Sequence, residues 1–429
     1  MKRKFTKSNQ FFKKVNKVIP LASQTFSKSY LQFIKGEAPL FSTHAKGSHI
    51  WDVDGNEYID FINGLLPVIL GYQYKAVDDA IKKQLGKGII FSLPSPLEYE
   101  LSNLLIKHIP CAEMVRFGKN GSDVTTGAIR LARAVTERDH VAVCGYHGWH
   151  DWYIGSSTRN LGVPKETRKL THKFNYNDIE SLEKIFKQNK NKIAAVIMEP
   201  MNYVEPEKDF LKKVKALAHK NGALLIFDEI ITGFRYDLGG AQKLFGVTPD
   251  LATFGKSMAN GMPIATLVGK RKYMKKIEDI FYSFTFGGET LSLAAAIATI
   301  NEMEKKKVIS YIWKLGEYLI KETNKLIIKN DLEGVIEIKG KPCWSLMFTF
   351  PYKKYSDLEI KSYLQQELLQ LGFLWYGQHN MSYSHTKQDI DKLLKAYDQV
   401  FSKLKEILDK NKLKESLRGE PITNIFKVR

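Results

Sequence analysis

Cysteine is scarce in this chain. The three present, Cys111, Cys144 and Cys343, lie far apart. They make neither a metal-ligand spacing nor a disulfide framework, so a reducing cytosol is the expected compartment. Long apolar runs are also missing: none reaches the roughly twenty residues that a bilayer-spanning helix needs. Near the start, Val18-Ile19-Pro20-Leu21-Ala22 is too short for a signal peptide and is interrupted by proline. Acidic residues are in deficit, 46 against 65 basic ones, which gives a net charge of +19. Much of the excess sits between Lys2 and Lys17 and between Lys403 and Lys414. No nucleic-acid module or stacking platform accompanies it, so the charge reads as a solvated exterior that attracts anionic substrates, and no nucleic-acid partner is expected. His147, His150 and His385 lack acidic neighbours at metal-ligand spacing, so no metal is expected. No internal repeat or low-complexity segment interrupts the pattern.

What is present is globular: 44% hydrophobic and 26% charged residues in a chain of 429, too long for a single core. His49 to Phe61 holds two β-rich runs around Asp54-Gly55-Asn56, a hairpin signal. Helical spacing marks Tyr99–His108 and the stretch after Ser122, where Val124, Ala128, Leu131 and Val135 share a face. Strand and helix signals then alternate: strands at Val141–Val143, Ile193–Met198 and Ala223–Phe227, helices at Asn177–Gln188 and Phe210–Lys220. That alternation predicts an α/β fold with a mostly parallel sheet, whose ligands gather beyond the carboxyl ends of the strands. Beyond about residue 330 the pattern becomes α+β. We assign residues 91–325 to a large domain, and 1–90 with 326–429 to a smaller α+β domain built from both chain ends.

The residues that carry chemistry cluster after the strands. Asp228 ends an apolar strand, and a buried carboxylate there needs a cation. Lys256 follows, between Gly255 and Gly261. A strand-borne carboxylate and a lysine in a glycine turn fit pyridoxal phosphate, which needs an amine for a Schiff base and an acid to keep its ring nitrogen protonated. Ile230 lies on the same side of the extended chain as Asp228 and can pack on a flat ring. Gly121 and Ser122 open a helix after a short strand, as a phosphate cradle does, although an ordinary helix cap reads the same way. Tyr146-His147-Gly148 and Glu199-Pro200 end neighbouring strands. Thr285 stands near Gly287-Gly288, a further hydroxyl for a phosphate.

Taken together, these residues resemble the class III (subgroup II) aminotransferases, from about Gly47 to about Leu393. Trp51–Asp60, Gly121-Ser122 with Tyr146–Gly148, Phe227–Arg235 and Phe245–Lys256 carry the resemblance, the last two most specifically. Within the family the chain is most similar to the glutamate-1-semialdehyde 2,1-aminomutases. The resemblance implies fold type I and a homodimer with active sites shared at its interface. It implies that Lys256 carries the cofactor and that Asp228 pairs with the pyridine nitrogen. Tyr146 would stack on one ring face and Ile230 on the other, with His147 in the same site. Gly121 and Ser122 would hold the phosphate, joined by Thr285 of the neighbouring subunit.

Departures from the family pattern point to a rewritten substrate pocket. The gating loop is shortened to Gly155–Pro164. The arginine that would clamp a substrate carboxylate has no clear counterpart; Lys28 is the candidate substitute, and it is not a bidentate clamp. An acidic residue is missing around Trp375–His379, and Gly288-Glu289 replaces the usual Gly-Asn. The expected function is therefore transfer of an amino group from a small donor to a small carbonyl acceptor. A sugar-type intermediate is one candidate acceptor; Trp149, Trp152, Tyr153, Trp375 and Tyr376 would either stack on it as a rim or, the reading slightly preferred, serve as interface packing. The alternative is the aminomutase reaction that forms 5-aminolevulinate.

Overall fold

A computed structural model describes residues 2–423. Fourteen strands follow in chain order: β1 Ser42–Lys46, β2 His49–Asp52, β3 Glu57–Asp60, β4 Met114–Gly118, β5 His140–Cys144, β6 Thr171–Lys173, β7 Ile193–Met198, β8 Leu224–Asp228, β9 Leu251–Phe254, β10 Ala265–Gly269, β11 Ile336–Lys341, β12 Trp344–Thr349, β13 Phe373–Leu374 and β14 Gln378–Asn380. The described residues form two compact units, one continuous over Lys75–Ile309 and one built from residues 2–74 and 310–423.

The continuous unit holds a seven-stranded sheet in the order β4-β10-β9-β8-β7-β5-β6. From β9 to β6 every neighbour is parallel, while β10 runs antiparallel to both β9 and β4. β4 therefore points the same way as the parallel strands, and only β10 is reversed. The central strands read as continuous apolar runs because both faces are covered: all six residues of β7 and all five of β8 are buried. The helix Gly121–Thr136 packs Val124, Ala128, Leu131 and Ala132 into the core with Val141, Ile197 and Ile226.

The other unit contains the expected hairpin, β2 antiparallel to β3. Asp54 in its turn also anchors a helix. Its carboxylate accepts the Lys7 and Ser8 amides at 2.7 and 2.8 Å and so ties down Thr6–Val15. β13 adds to β3 in parallel, Phe373 opposite Ile59, which joins both chain ends in one sheet, β1-β2-β3-β13. β11, β12 and β14 form a separate antiparallel sheet.

The units divide at 74/75 and 309/310, where the sequence reading divides at 90/91 and 325/326. The physical reason is helix pairing. The helix Lys75–Leu85 lies on Thr290–Lys305, with Gln84 donating to Thr290 Oγ1 at 3.1 Å. At the other border, Tyr311 donates to the His385 carbonyl at 2.6 Å. Among the described residues no helix is long and apolar enough to cross a membrane.

Candidate active site

Five strands of the large sheet, β4, β5, β7, β8 and β9, deliver their last residues to one edge. The register places Cys144 opposite Met198, Phe227 opposite Met198, and Asp228 opposite Thr253. The segments that leave these strands are therefore neighbours: Lys119–Ser122, Gly145–Gly148, Glu199, Ile230 and Gly255-Lys256.

Asp228 is 5% exposed. Its Oδ2 lies 2.8 Å from His147 Nδ1, while Oδ1 accepts the Ile230 amide at 3.1 Å and the Thr253 hydroxyl at 3.3 Å. The other ring nitrogen of His147, Nε2, lies 3.2 Å from the Cys144 carbonyl. Both nitrogens of this buried ring thus face acceptors, which holds the imidazole in one orientation against the carboxylate.

Lys256 opens a short turn, Lys256–Ala259, immediately after β9. Its φ is +40°, in the left-handed region that side chains other than glycine seldom adopt, and Asn260 and Gly261 continue it at +46° and +110°. Such backbone strain concentrates at functional positions. Arg235, fully buried, reaches Ser257 Oγ at 3.3 Å, beside the lysine.

Gly121 and Ser122 begin the helix Gly121–Thr136, and the cap is Asn120, one residue before them. Asp123 Oδ2 accepts the Lys119 and Asn120 amides at 3.0 and 2.7 Å and closes the turn. The helix start is bound to the segment after β5: Ser122 Oγ accepts the Trp149 amide at 3.3 Å, and Thr125 donates to the His147 carbonyl at 2.9 Å. A Cβ placed on Gly148 would lie 2.3 Å from Ser122 Oγ, so only glycine fits there. Ile230 sits between two other glycines: a Cβ on Gly121 or Gly255 would come within 3.3 or 3.1 Å of its Cδ1.

Tyr146, 37% exposed, meets Tyr153 edge-on at 5.7 Å, and its amide donates to Glu199 Oε2 at 3.2 Å. The structure thus gathers Gly121, Ser122, Tyr146, His147, Asp228, Ile230 and Lys256 at one edge. Thr285 is different. It lies exposed on the loop that carries the exposed Phe281 and Phe286.

Glu289 caps the helix Thr290–Lys305, accepting the Leu291 and Ser292 amides at 2.6 and 3.2 Å, and pairs with Lys119 at 2.9 Å. Burial raises its carboxyl, but the bonds from Ser292 and Lys119 outweigh this and hold it below its ordinary value. The Gly155–Pro164 loop is tied back by Arg168, which donates to the carbonyls of Val163 and Asn160 at 2.8 and 2.7 Å. Of the five aromatics expected at a rim, Trp152, Tyr153, Trp375 and Tyr376 are buried, while Trp149 is 68% exposed. Trp152 and Tyr153 belong to the core, bonded to Thr126 and to the Gly145 carbonyl.

These residues fit pyridoxal phosphate. The start of a sixteen-residue helix, closed by glycines that leave no room for Cβ atoms, suits a phosphate. A carboxylate buried at a strand end suits a protonated ring nitrogen, and a strained lysine stands three residues beyond that carboxylate's partner in the register.

The comparisons with known proteins agree. The family model "Aminotransferase class-III" matches residues 33–401. A 3-aminobutyryl-CoA aminotransferase of Cloacimonas acidaminovorans is 37% identical over 95% of this chain and 99% of its own. A glutamate-1-semialdehyde 2,1-aminomutase of Methanosphaera stadtmanae is 34% identical over 94% and 99%. Among solved structures, the FumI protein of Sphingopyxis, with PLP as its internal aldimine, superimposes with a TM-score of 0.86 and 27% identity over 94% of this chain and 98% of that one.

Proposed function

We propose that this chain, which belongs to the class-III aminotransferases and uses pyridoxal phosphate, moves an amino group from a donor to a separate small carbonyl acceptor. One observation carries this reading over the aminomutase reaction: the Gly155–Pro164 segment is short and fastened to Arg168. An aminomutase has to retain its diamino intermediate between two half-reactions, which calls for a closing lid. A transaminase releases its first product and needs no such retention.

When bound, the cofactor supplies an electron sink for the substrate Cα. In this reading Lys256 would anchor it and would move the proton at the substrate Cα. Asp228, oriented by His147, keeps the ring nitrogen protonated. Tyr146 and Ile230 hold the ring between them, and the Gly121 and Ser122 amides take the phosphate. Thr285 would reach the phosphate of a second copy, which makes the working form a homodimer.

For the donor, the relative named 3-aminobutyryl-CoA aminotransferase directs attention to β-amino acyl thioesters. A sugar-type carbonyl has one exposed aromatic to stack on, Trp149. The aminomutase reading keeps a place because a relative of similar coverage bears that name. Incubation of the holoenzyme with glutamate 1-semialdehyde alone, and with donor and acceptor pairs that include 3-aminobutyryl-CoA, separates them. We expect turnover only when both partners are supplied; sustained 5-aminolevulinate formation without a donor overturns the proposal.

A further inference from the structure

The unit built from both chain ends contains a cavity of about 260 Å³ between β12 and the helix Asp357–Leu371. Two polar groups in it lack partners. Lys361 lines the cavity with its ammonium end over Gly377, where an added Cβ would lie 3.4 Å from Nζ. Among the described residues no carboxylate is within ion-pair distance of that nitrogen; Asp357 acts on it only from further away. Burial lowers the lysine from its ordinary value. Tyr376 is 5% exposed, and its hydroxyl has no hydrogen-bond partner. Burial pushes this phenol upward, so it stays protonated and available as a donor. The buried, unspent O–H of Tyr376 is costly unless an acceptor joins it, and the half-buried Lys361 ammonium in the same cavity supplies a charge for that acceptor.

The remaining lining decides what kind of acceptor. Leu65, Leu346 and Leu358 supply apolar walls. A single ammonium matches a single negative charge, and Asp357 in the same lining opposes a dianion such as phosphate. The volume suits a molecule of a few carbons. We propose that this cavity binds a small organic monocarboxylate, its oxygens held by Lys361 and Tyr376 and its hydrocarbon part against the three leucines.

Calorimetric titration of the full-length holoenzyme with sodium butyrate tests this, with butyramide and inorganic phosphate as comparison ligands. Butyrate should bind saturably, one per chain, and both other ligands at least about tenfold more weakly. Lys361→Met should weaken butyrate roughly 10- to 100-fold, Lys361→Arg should largely preserve it, and Tyr376→Phe should cost about three- to tenfold. Circular dichroism and melting establish that the variants are folded; should Lys361→Met melt early, Tyr376→Phe, which removes one oxygen, decides. Absence of saturable binding, butyramide binding as well as butyrate, tighter binding of phosphate, or affinity indifferent to both substitutions would each overturn the proposal.

Discussion

At Asp228 a carboxylate is withdrawn from water and shared among an imidazole, an amide and a hydroxyl. Its proposed role is to keep a proton on a ring nitrogen, and an amide in its place cannot offer the negative charge. Asp228→Asn should lower kcat about 100-fold or more while the fold is kept, by steady-state rates and circular dichroism. A near-normal rate would remove Asp228 from the mechanism. Lys256→Ala should bind the cofactor without a covalent link and lose at least about 10³-fold in turnover. Borohydride reduction followed by peptide mass spectrometry should label wild type at Lys256 and leave the variant unlabelled. These two residues could be picked out from the sequence because a strand and a glycine turn flank them. Arg235 and Glu289 lie in segments that the resemblance marks, but nothing in their own neighbourhoods announces that one reaches Ser257 and the other Lys119.

Between elements, the tightest demand falls where the segment after β5 crosses the start of the helix Gly121–Thr136. Gly148 has φ +104° there and no space for a Cβ beside Ser122. Gly148→Ala should therefore cost about 1–3 kcal/mol in chemical denaturation and raise the cofactor dissociation constant, because the serine must move. Unchanged cofactor affinity would show that the crossing does not shape the phosphate site. Fully buried strands such as Ile193–Met198 and the Asp54-Gly55-Asn56 hairpin were readable because apolar runs and turn residues are local signals. The reversal of β10 was not, since an apolar run carries no direction. Two-residue β13 has too little pattern to detect, and its partner β3 lies far away in the chain. For the aromatic cluster the sequence left stacking and packing both open. The clustering of Trp152 and Tyr153 near a site motif does not reveal that both face the core.

On the scale of the whole molecule, two buried histidines link stability to acidity. Burial lowers His379 to about 3 and His385 to about 4. A neutral His379 ring satisfies both neighbours, Ser345 Oγ at 3.0 Å and Tyr397 OH at 2.6 Å. Depressed values mean that the unfolded chain binds protons first. The stability is present above about 6.5 and drains as pH falls, by roughly 2 kcal/mol per histidine at pH 5. Glu229, raised by burial to about 7, acts the other way: its contribution is present below the ordinary glutamate value and is lost as pH rises to 7. Urea midpoints between pH 7.5 and 5 should therefore fall less steeply in His379→Gln than in wild type, and equal slopes would refute the assignment. The proposed dimer has its own signature. Lys256→Ala and Thr285→Val, each impaired alone, should regain activity when refolded together, since a mixed pair contains one intact site; no recovery would place Thr285 outside the partner's site. The parallel pairing of β3 with β13 also sets a timetable for biosynthesis. The continuous Lys75–Ile309 unit can fold as it leaves the ribosome, but Ile59 has to wait for Phe373, roughly 15 to 60 s later at ordinary elongation speeds. During that interval the unfinished β3 edge is open to aggregation.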